Sequence, residues 1–323
     1  MSDFPYPSAT EMPDPDALIA VQAQLDAARA MTPVLEAAEI DEVLRIVPGK
    51  RAMLAGHWQG RPAVFLLVPP TAAEAQAREW REATRIWPQM QGKRYRVPEP
   101  FLHLPEIGLM AVERVPGTPL LAHLWQSRPE TRAPHLPDAA TWLRRYTDVS
   151  ESWRAANPAG WLARAERAAQ TQPHARLQRI EADILVHLRK IAERLEAADW
   201  RMAICHGDFH PNNLILGPHR LTGIDLGGSA RLPVCKDIAR FLAHMGRRGM
   251  IPSGTRSFGV DAGGIAAFAD TFSLTETERQ RTLPFFIGIE ALIRVEKPGM
   301  PHARLRHAQV MYETLRSDLA AAL

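Results

Sequence analysis

The chain has 323 residues and a mass of 36.0 kDa, enough for two separate cores, and its 46% hydrophobic and 23% charged residues are those of a globular protein. The net charge is +3, with 34 arginines against five lysines and a pI near 9.1, a bias that genomic base composition can produce as readily as ligand choice. No basic cluster is interleaved with aromatics, which excludes nucleic acid as the expected partner, and no apolar run approaches the ~20 residues of a transmembrane segment. Met1-Ser2-Asp3-Phe4-Pro5 lacks the basic and apolar regions of a signal peptide, so a cytoplasmic protein is expected. Cys205 and Cys235 set neither a disulfide framework nor a metal spacing.

The first predicted element is a helix over residues 14–31. Asp14 caps it, Pro15 opens it, and Leu18, Ile19 and Leu25 recur on one face, for packing or as an interaction arm. Val43-Leu44-Arg45-Ile46-Val47 begins a strand, Pro48-Gly49 turns it, and residues 51–56 return. His57-Trp58-Gln59-Gly60 then turns into a third strand over 62–68. Thr71-Ala72-Ala73-Glu74 reads as a capping box that starts a helix over 72–87, which Pro88 ends; Glu79 and Glu82 lie on it one turn apart. After a strand near Met110 and Val112, Thr118 is expected to cap a helix with Pro119 in its first position.

Residues 118–200 read as largely helical. Leu177, Ile180, Ile184, Leu188, Ile191 and Leu195 hold a helical period within 176–198. Trp142, Tyr146, Trp153 and Trp161 fall in this stretch, and their spacing reads as core packing ahead of substrate contact. Thr275-Glu276-Thr277-Glu278 is a second capping box, and residues 301–323 read as a final helix.

The most informative stretch is His206-Gly207-Asp208-Phe209-His210-Pro211-Asn212-Asn213, which follows an apolar strand. A carboxylate and a carboxamide five residues apart suit phosphoryl transfer: one orients the attacking hydroxyl, the other ligates a metal held against ATP phosphates. Downstream, Leu214-Ile215-Leu216 and residues 221–224 flank Gly217-Pro218-His219-Arg220 as a hairpin, followed by Asp225-Leu226-Gly227 and by Lys236-Asp237-Ile238-Ala239-Arg240. These motifs, in this order, resemble the HGDxxxxN, Asp-Phe-Gly and Asp-Leu-Ala segments of the aminoglycoside phosphotransferase and choline kinase family, relatives of protein kinases.

The resemblance covers about residues 43–245 and implies an α+β, protein-kinase-like, two-lobed fold with a small antiparallel-sheet N-lobe and a mostly helical C-lobe. The expected domains are an N-terminal helical extension over 1–40, an N-lobe over 41–113 and a C-lobe over 114–323. The expected function is transfer of the γ-phosphate of ATP to a hydroxyl of a small molecule. By resemblance Asp208 is the base, Asn213 and Asp225 hold Mg²⁺ and Asp237 braces the loop, while His206 and His210, as single histidines, read as loop-shaping residues. Met110, Val112 and Glu113 belong to a hinge strand against which adenine lies, through backbone groups between residues 110 and 114.

The sequence departs from the family in its third strand, Arg61-Pro62-Ala63-Val64-Phe65-Leu66-Leu67-Val68, where Leu66 or Leu67 replaces the phosphate-holding lysine. Glu82, in an Arg-Glu-Ala string like the family's, then loses its partner and reads as a solvated residue of the helix face. Lys50 or Arg51, beside Gly49, is the expected substitute cation. Two alternatives stay open: a kinase of lipopolysaccharide-type sugars, which residues 231–240 also resemble, and a nucleotide-binding pseudokinase.

Overall fold

The computed structural model describes residues 15–323, so the expected cap Asp14 lies outside the described residues. The chain forms two compact units. One comprises the described residues up to Pro119 together with Ile215–Gly228, and the other Leu120–Leu214 with Ser229–Leu323. The segment Ile215–Gly228, expected within a C-lobe over 114–323, therefore groups with the sheet-bearing unit.

The first unit opens with helix α1 (Pro15–Met31) and the strands β1 (Ala38–Val47), β2 (Arg51–Trp58) and β3 (Arg61–Leu67). Helix α2 (Ala73–Met90) follows, then the short strand β4 (Tyr95–Arg96) and the strands β5 (Pro100–Leu104), β6 (Leu109–Glu113) and β7 (Thr118–Pro119). The antiparallel sheet has the order β1-β2-β3-β6-β5. Its alternation sorts the two faces: Ala63, Phe65 and Leu67 pack with Leu25 and Ala28 of α1, whereas Val64 packs on the opposite face with Leu44 and Ala55. The turn between β1 and β2 holds Gly49 at φ 67°, a conformation that favours glycine.

Two expected boundaries change. Thr71 makes no cap; α2 starts at Ala73 after a short turn over Pro70–Ala72, and it continues through Pro88 to Met90. Pro88 removes only one backbone donor, and the Gln91 amide donates to Trp87 O at 2.7 Å to close the last turn. Thr118 and Pro119 pair with Leu216 and Ile215 as strand residues, so the next helix starts at Leu120 instead.

The second unit contains α3 (Leu120–Gln126), α4 (His135–Asp148), β8 (Ser152–Ala155), α5 (Pro158–Ala169), α6 (Ala175–Leu195) and β9 (Asp199–Cys205). The chain then supplies β10 (Leu214–Leu216) and β11 (Leu221–Gly223), a hairpin closed by the Gly217 amide on Arg220 O at 2.9 Å. These complete a sheet of order β4-β11-β10-β7. Strand β12 (Ala230–Pro233) flanks β9 in the order β12-β9-β8. Helix α7 (Val234–Gly246), the hairpin β13 (Arg256–Ser257) and β14 (Val260–Asp261), and helices α8 (Ala262–Thr271), α9 (Leu283–Leu292) and α10 (His302–Ala321) finish the unit.

Its core is aromatic. Phe209 stacks between Trp142, at 5.6 Å, and Phe241, at 5.2 Å, while Trp161 packs edge-on to Phe286. Trp153 is exposed beneath the Arg201 guanidinium instead. The second capping box forms as read: Thr275 Oγ1 accepts from the Glu278 amide, and Glu278 Oε2 from the Thr275 amide. Both cysteines are buried and free, and burial pushes their thiols up in pKa. Among the described residues no helix is long and apolar enough to cross a membrane.

Candidate active site

Strand β9 is the middle strand of its sheet and delivers residues 206–213 from a buried edge. Gly207 adopts φ 81°, which lets the chain reverse without a Cβ penalty. The reversal is pinned from α7: Asp237, fully buried in the first helical turn, accepts the Gly207 amide at 3.0 Å. Lys236 Nζ donates to the Gly207 carbonyl and lies 3.3 Å from Asp237 and 3.8 Å from buried Glu290. His206 is buried among Trp142, Tyr146 and Phe209, anchoring the start of the loop in the aromatic core.

Asp208 is partly exposed, and its carboxylate is surrounded by cationic and N–H donors. Oδ1 accepts from Arg240 Nε at 2.8 Å and from Arg294 Nη2 at 3.1 Å; His210 Nε2 lies 3.4 Å from Oδ2. Burial alone would raise the Asp208 pKa, but the His210 hydrogen bond and the Arg240 charge outweigh it and hold the carboxyl well below its usual range. Burial likewise lowers His210 in spite of Asp208, so His210 acts as a neutral N–H donor. Asn213 closes the loop by donating Nδ2 to Asp208 O at 3.1 Å, which leaves its Oδ1 as an available oxygen ligand.

In the sheet-bearing unit Asp225 is exposed and sits at φ 63°, a left-handed conformation that aspartate tolerates better than most residues. Its neighbour across the turn is Glu79 of α2. Burial first and the Asp225 charge second push the Glu79 pKa up to about 7, while Arg51 opposes the rise. Gly227 makes this approach possible, because a Cβ there would lie 3.0 Å from Glu79 Oε2. The structure thus groups Arg51, Glu79 and Asp225, whereas the Lys50 ammonium in the preceding turn forms no ion pair among the described residues.

Glu82 corrects an expectation. It is buried rather than solvated, and it accepts Arg85 Nε and Nη2 at 2.8 and 2.7 Å, because the helix turns it toward the face that buries Ala83 and Ile86. Strand parity also decides which leucine stands in place of the lysine. Leu67 is buried with the α1-facing cluster, so Leu66, paired with Met53 and Met110, shares the face of Val64.

The hinge strand is more fully bonded than expected. Met110 is buried; Val112 pairs with Val64 and Pro100; the Glu113 amide donates to Glu99 O and the Arg114 amide to Pro62 O. The Glu113 carboxylate accepts from Arg96 and from the Glu99 amide, so it is a structural tie within the unit. The first amide along this segment without a backbone partner among the described residues is that of Val115.

Sequence reasoning passed over three residues that the geometry brings forward. Glu79 lay one turn from Glu82 and was the other choice on the same helix. Arg240 stands four residues after Lys236, a helical spacing that puts both on one face of α7. Arg294 follows α9 and carries no local signal.

Residues 17–261 match the sequence profile of the phosphotransferase enzyme family. A search of curated proteins gave no significant match. The structure resembles an amicoumacin kinase, hAmiN, in complex with AMP-PNP, Ca²⁺ and Ami, with a TM-score of 0.59, 11% identity, and coverage of 93% of this chain and 96% of that one. It also resembles an ethanolamine kinase of Plasmodium vivax, with a TM-score of 0.56, 10% identity, and coverage of 98% and 93%. For the choline kinase LicA of Streptococcus pneumoniae the TM-score is 0.52, with 13% identity and coverage of 91% and 99%. The α+β fold is therefore that of these protein-kinase-like enzymes, and the chain belongs to the phosphotransferase enzyme family.

Proposed function

We propose that the enzyme transfers the γ-phosphate of ATP to a hydroxyl group of a small molecule, with Asp208 as the group that receives the acceptor. The observation that carries this reading is the fixed carboxylate of Asp208: Arg240 and Arg294 occupy Oδ1, and Oδ2, beside His210 Nε2 at 3.4 Å, keeps a further lone pair for an incoming O–H. Phosphoryl transfer through a loose transition state asks mainly for alignment, so a weakly basic, rigidly held carboxylate suits it.

Asn213 Oδ1 and the exposed Asp225 carboxylate are the proposed ligands of Mg²⁺. The residues fit such an ion, because magnesium takes one or two protein oxygens with phosphate and water, and the like-charge pressure between Glu79 and Asp225 is what a cation relieves. When bound, the ion neutralises charge on the β- and γ-phosphates. Arg51, whose charge acts on Glu79, is the proposed replacement for the missing strand lysine, and the Val115 amide is the proposed hydrogen-bond donor to adenine.

Thermal denaturation with and without Mg-ATP tests this reading. The wild-type protein is expected to melt higher with Mg-ATP, and Asp225→Asn to lose most of that shift. An unchanged melting temperature in the wild-type protein would remove every nucleotide-dependent reading, including the pseudokinase. A full shift without any turnover would favour the pseudokinase, the reading that Leu66 in place of lysine supports.

A further inference from the structure

Next to Asp208 the helical unit holds a cavity of about 680 Å³, the size of a small-ligand site, and its wall is dominated by cations. Arg240, Arg247 and Arg248 come from α7 and the residues just after it, Arg294 and Lys297 from the segment between α9 and α10, and Arg304 from α10. The one carboxylate in the lining, Glu296, is already committed: it accepts from Arg247 and, at 3.0 Å, from Gln172 Nε2. Arg240 and Arg294 share Asp208. Arg248, Lys297 and Arg304 form no ion pair with any described residue. Arg248 is nevertheless held in place, since its Nη1 donates to His244 O at 2.8 Å.

Unpaired cations packed together are costly unless an anion joins them. The effect is visible at Arg248, where burial first, then the charges of Arg304, Arg240 and Arg247, push the pKa down to about 9. Arg304 is lowered as well, by burial and by Arg247. His244 is kept neutral by burial, with Arg248 adding to the effect, so it brings no further charge.

We propose that the acceptor of this enzyme is itself an anion, a small polyol carrying a phosphate monoester, with the phosphate held by Arg248 and Arg304 and a free hydroxyl presented to Asp208. A dianion matches the two unpaired guanidinium forks with Lys297 beside them, and bidentate guanidinium recognition suits phosphate geometry. Arg248 follows Arg240 by eight residues, just past the end of α7, a separation of at most ~12 Å at helical rise that long arginine arms shorten to the span of a sugar phosphate. A polycationic aminoglycoside would meet like charge throughout this wall. The proposal rests on the phosphoryl-transfer reading. The acceptor oxygen forms a bond to the γ-phosphorus as the bond to the β,γ-bridging oxygen breaks. The electron pair leaves on ADP, and the hydroxyl proton passes through Asp208 to solvent.

The test is ADP release from Mg-ATP with five acceptor sets: pentose and hexose monophosphates, the same sugars unphosphorylated, the matching sugar acids, kanamycin, and a phosphorylated glycolipid in micelles. Phosphorylated acceptors are expected to exceed their neutral parents in kcat/KM by at least ~100-fold, and Arg248→Gln/Arg304→Gln to raise their KM more than ~10-fold with kcat within ~3-fold. Activity only with micelles assigns the phosphate to a lipid; activity with soluble sugars assigns it to a free metabolite. Faster turnover of neutral sugars, sugar acids or kanamycin overturns the proposal, as does a double variant with unaltered KM. Calorimetric titration of ribose 5-phosphate and glucose 6-phosphate without nucleotide separates the two layers. Binding in the wild type that the double variant loses supports the cavity assignment even where Mg-ATP does not bind. Asp208-dependent ATP hydrolysis with neither sugar-phosphate binding nor stimulation leaves the transferase and sinks the anionic acceptor.

Discussion

Arg240 Nε stands 2.8 Å from Asp208 Oδ1, so the carboxylate proposed to receive the acceptor is oriented by a residue 32 positions further along the chain, on α7. Because Arg294 shares that oxygen, the clamp fixes which lone pairs remain for substrate. Arg240→Gln is expected to lower kcat by ~10- to 100-fold through lost alignment, with a smaller change in nucleotide affinity. Steady-state kinetics beside a nucleotide titration separate the two effects, and an equal loss in both would indicate general unfolding instead.

The two glutamates of α2 have different surroundings and are expected to fail differently. Glu79→Gln removes the carboxylate that lies between the Arg51 and Asp225 charges and is expected to reduce turnover with little loss of stability. Glu82→Gln breaks the bidentate pair with Arg85 and is expected to cost ~1–2 kcal/mol in urea denaturation, discounted because Arg85 is partly exposed. Its turnover should stay near that of the wild type.

The cation that replaces the strand lysine can be identified by comparing neighbours. Arg51→Ala is expected to lower kcat/KM for ATP by ~10²- to 10³-fold, the usual consequence of losing one preorganised electrostatic group. Lys50→Ala, without a partner in its turn, is expected to change it less than ~3-fold. The reverse order would move the phosphate contact to Lys50.

Acceptor binding should depend on the ionisation of the acceptor itself. Arg248 faces Arg240 and Arg247 from its own segment, His244 held neutral, Arg304 from α10, and Lys297 and Glu296 from the preceding linker, and its guanidinium stays cationic across the working range. A phosphate monoester carries two charges above its second pKa, ~6, and one below it. KM for a phosphorylated acceptor is therefore expected to be flat from pH 7 to 8 and to rise as pH falls below ~6. Arg248→Gln/Arg304→Gln should flatten that rise.

Glu278 joins two devices, the capping box with Thr275 and the bidentate pair with buried Arg201 at 3.0 and 3.2 Å. Glu278→Ala removes both and leaves Arg201 with Glu151 alone. The expected loss in chemical denaturation is ~2 kcal/mol, below the ~3–5 kcal/mol of an orphaned buried charge because Glu151 still pairs with Arg201.

The legible parts of this chain were those with local causes. The hairpin over β10 and β11, the capping box at Thr275, the glycine turn at Gly49 and the loop around Asp208 all follow from residues near one another in sequence. Thr71 failed as a cap because a proline-led turn over Pro70–Ala72 took the helix start, and Thr118 failed because pairing with Leu216 outweighed its capping tendency. Glu82 was misjudged as solvated because the buried face of α2 is set by what packs on it. The Arg248 and Arg304 cavity was hidden for a different reason: its residues come from distant segments, and a near-balanced count of charges along the C-terminal stretch conceals the pairing that leaves some of them alone.

The account's central claim is transfer of phosphate through Asp208, and the most direct measurement is ADP release from Mg-ATP by wild-type protein and Asp208→Asn, each with its nucleotide dissociation constant. The account predicts measurable release by the wild type, a fall of at least ~10³-fold in the variant, and nucleotide affinity within ~3-fold of the wild type. Equal release by both proteins would contradict it.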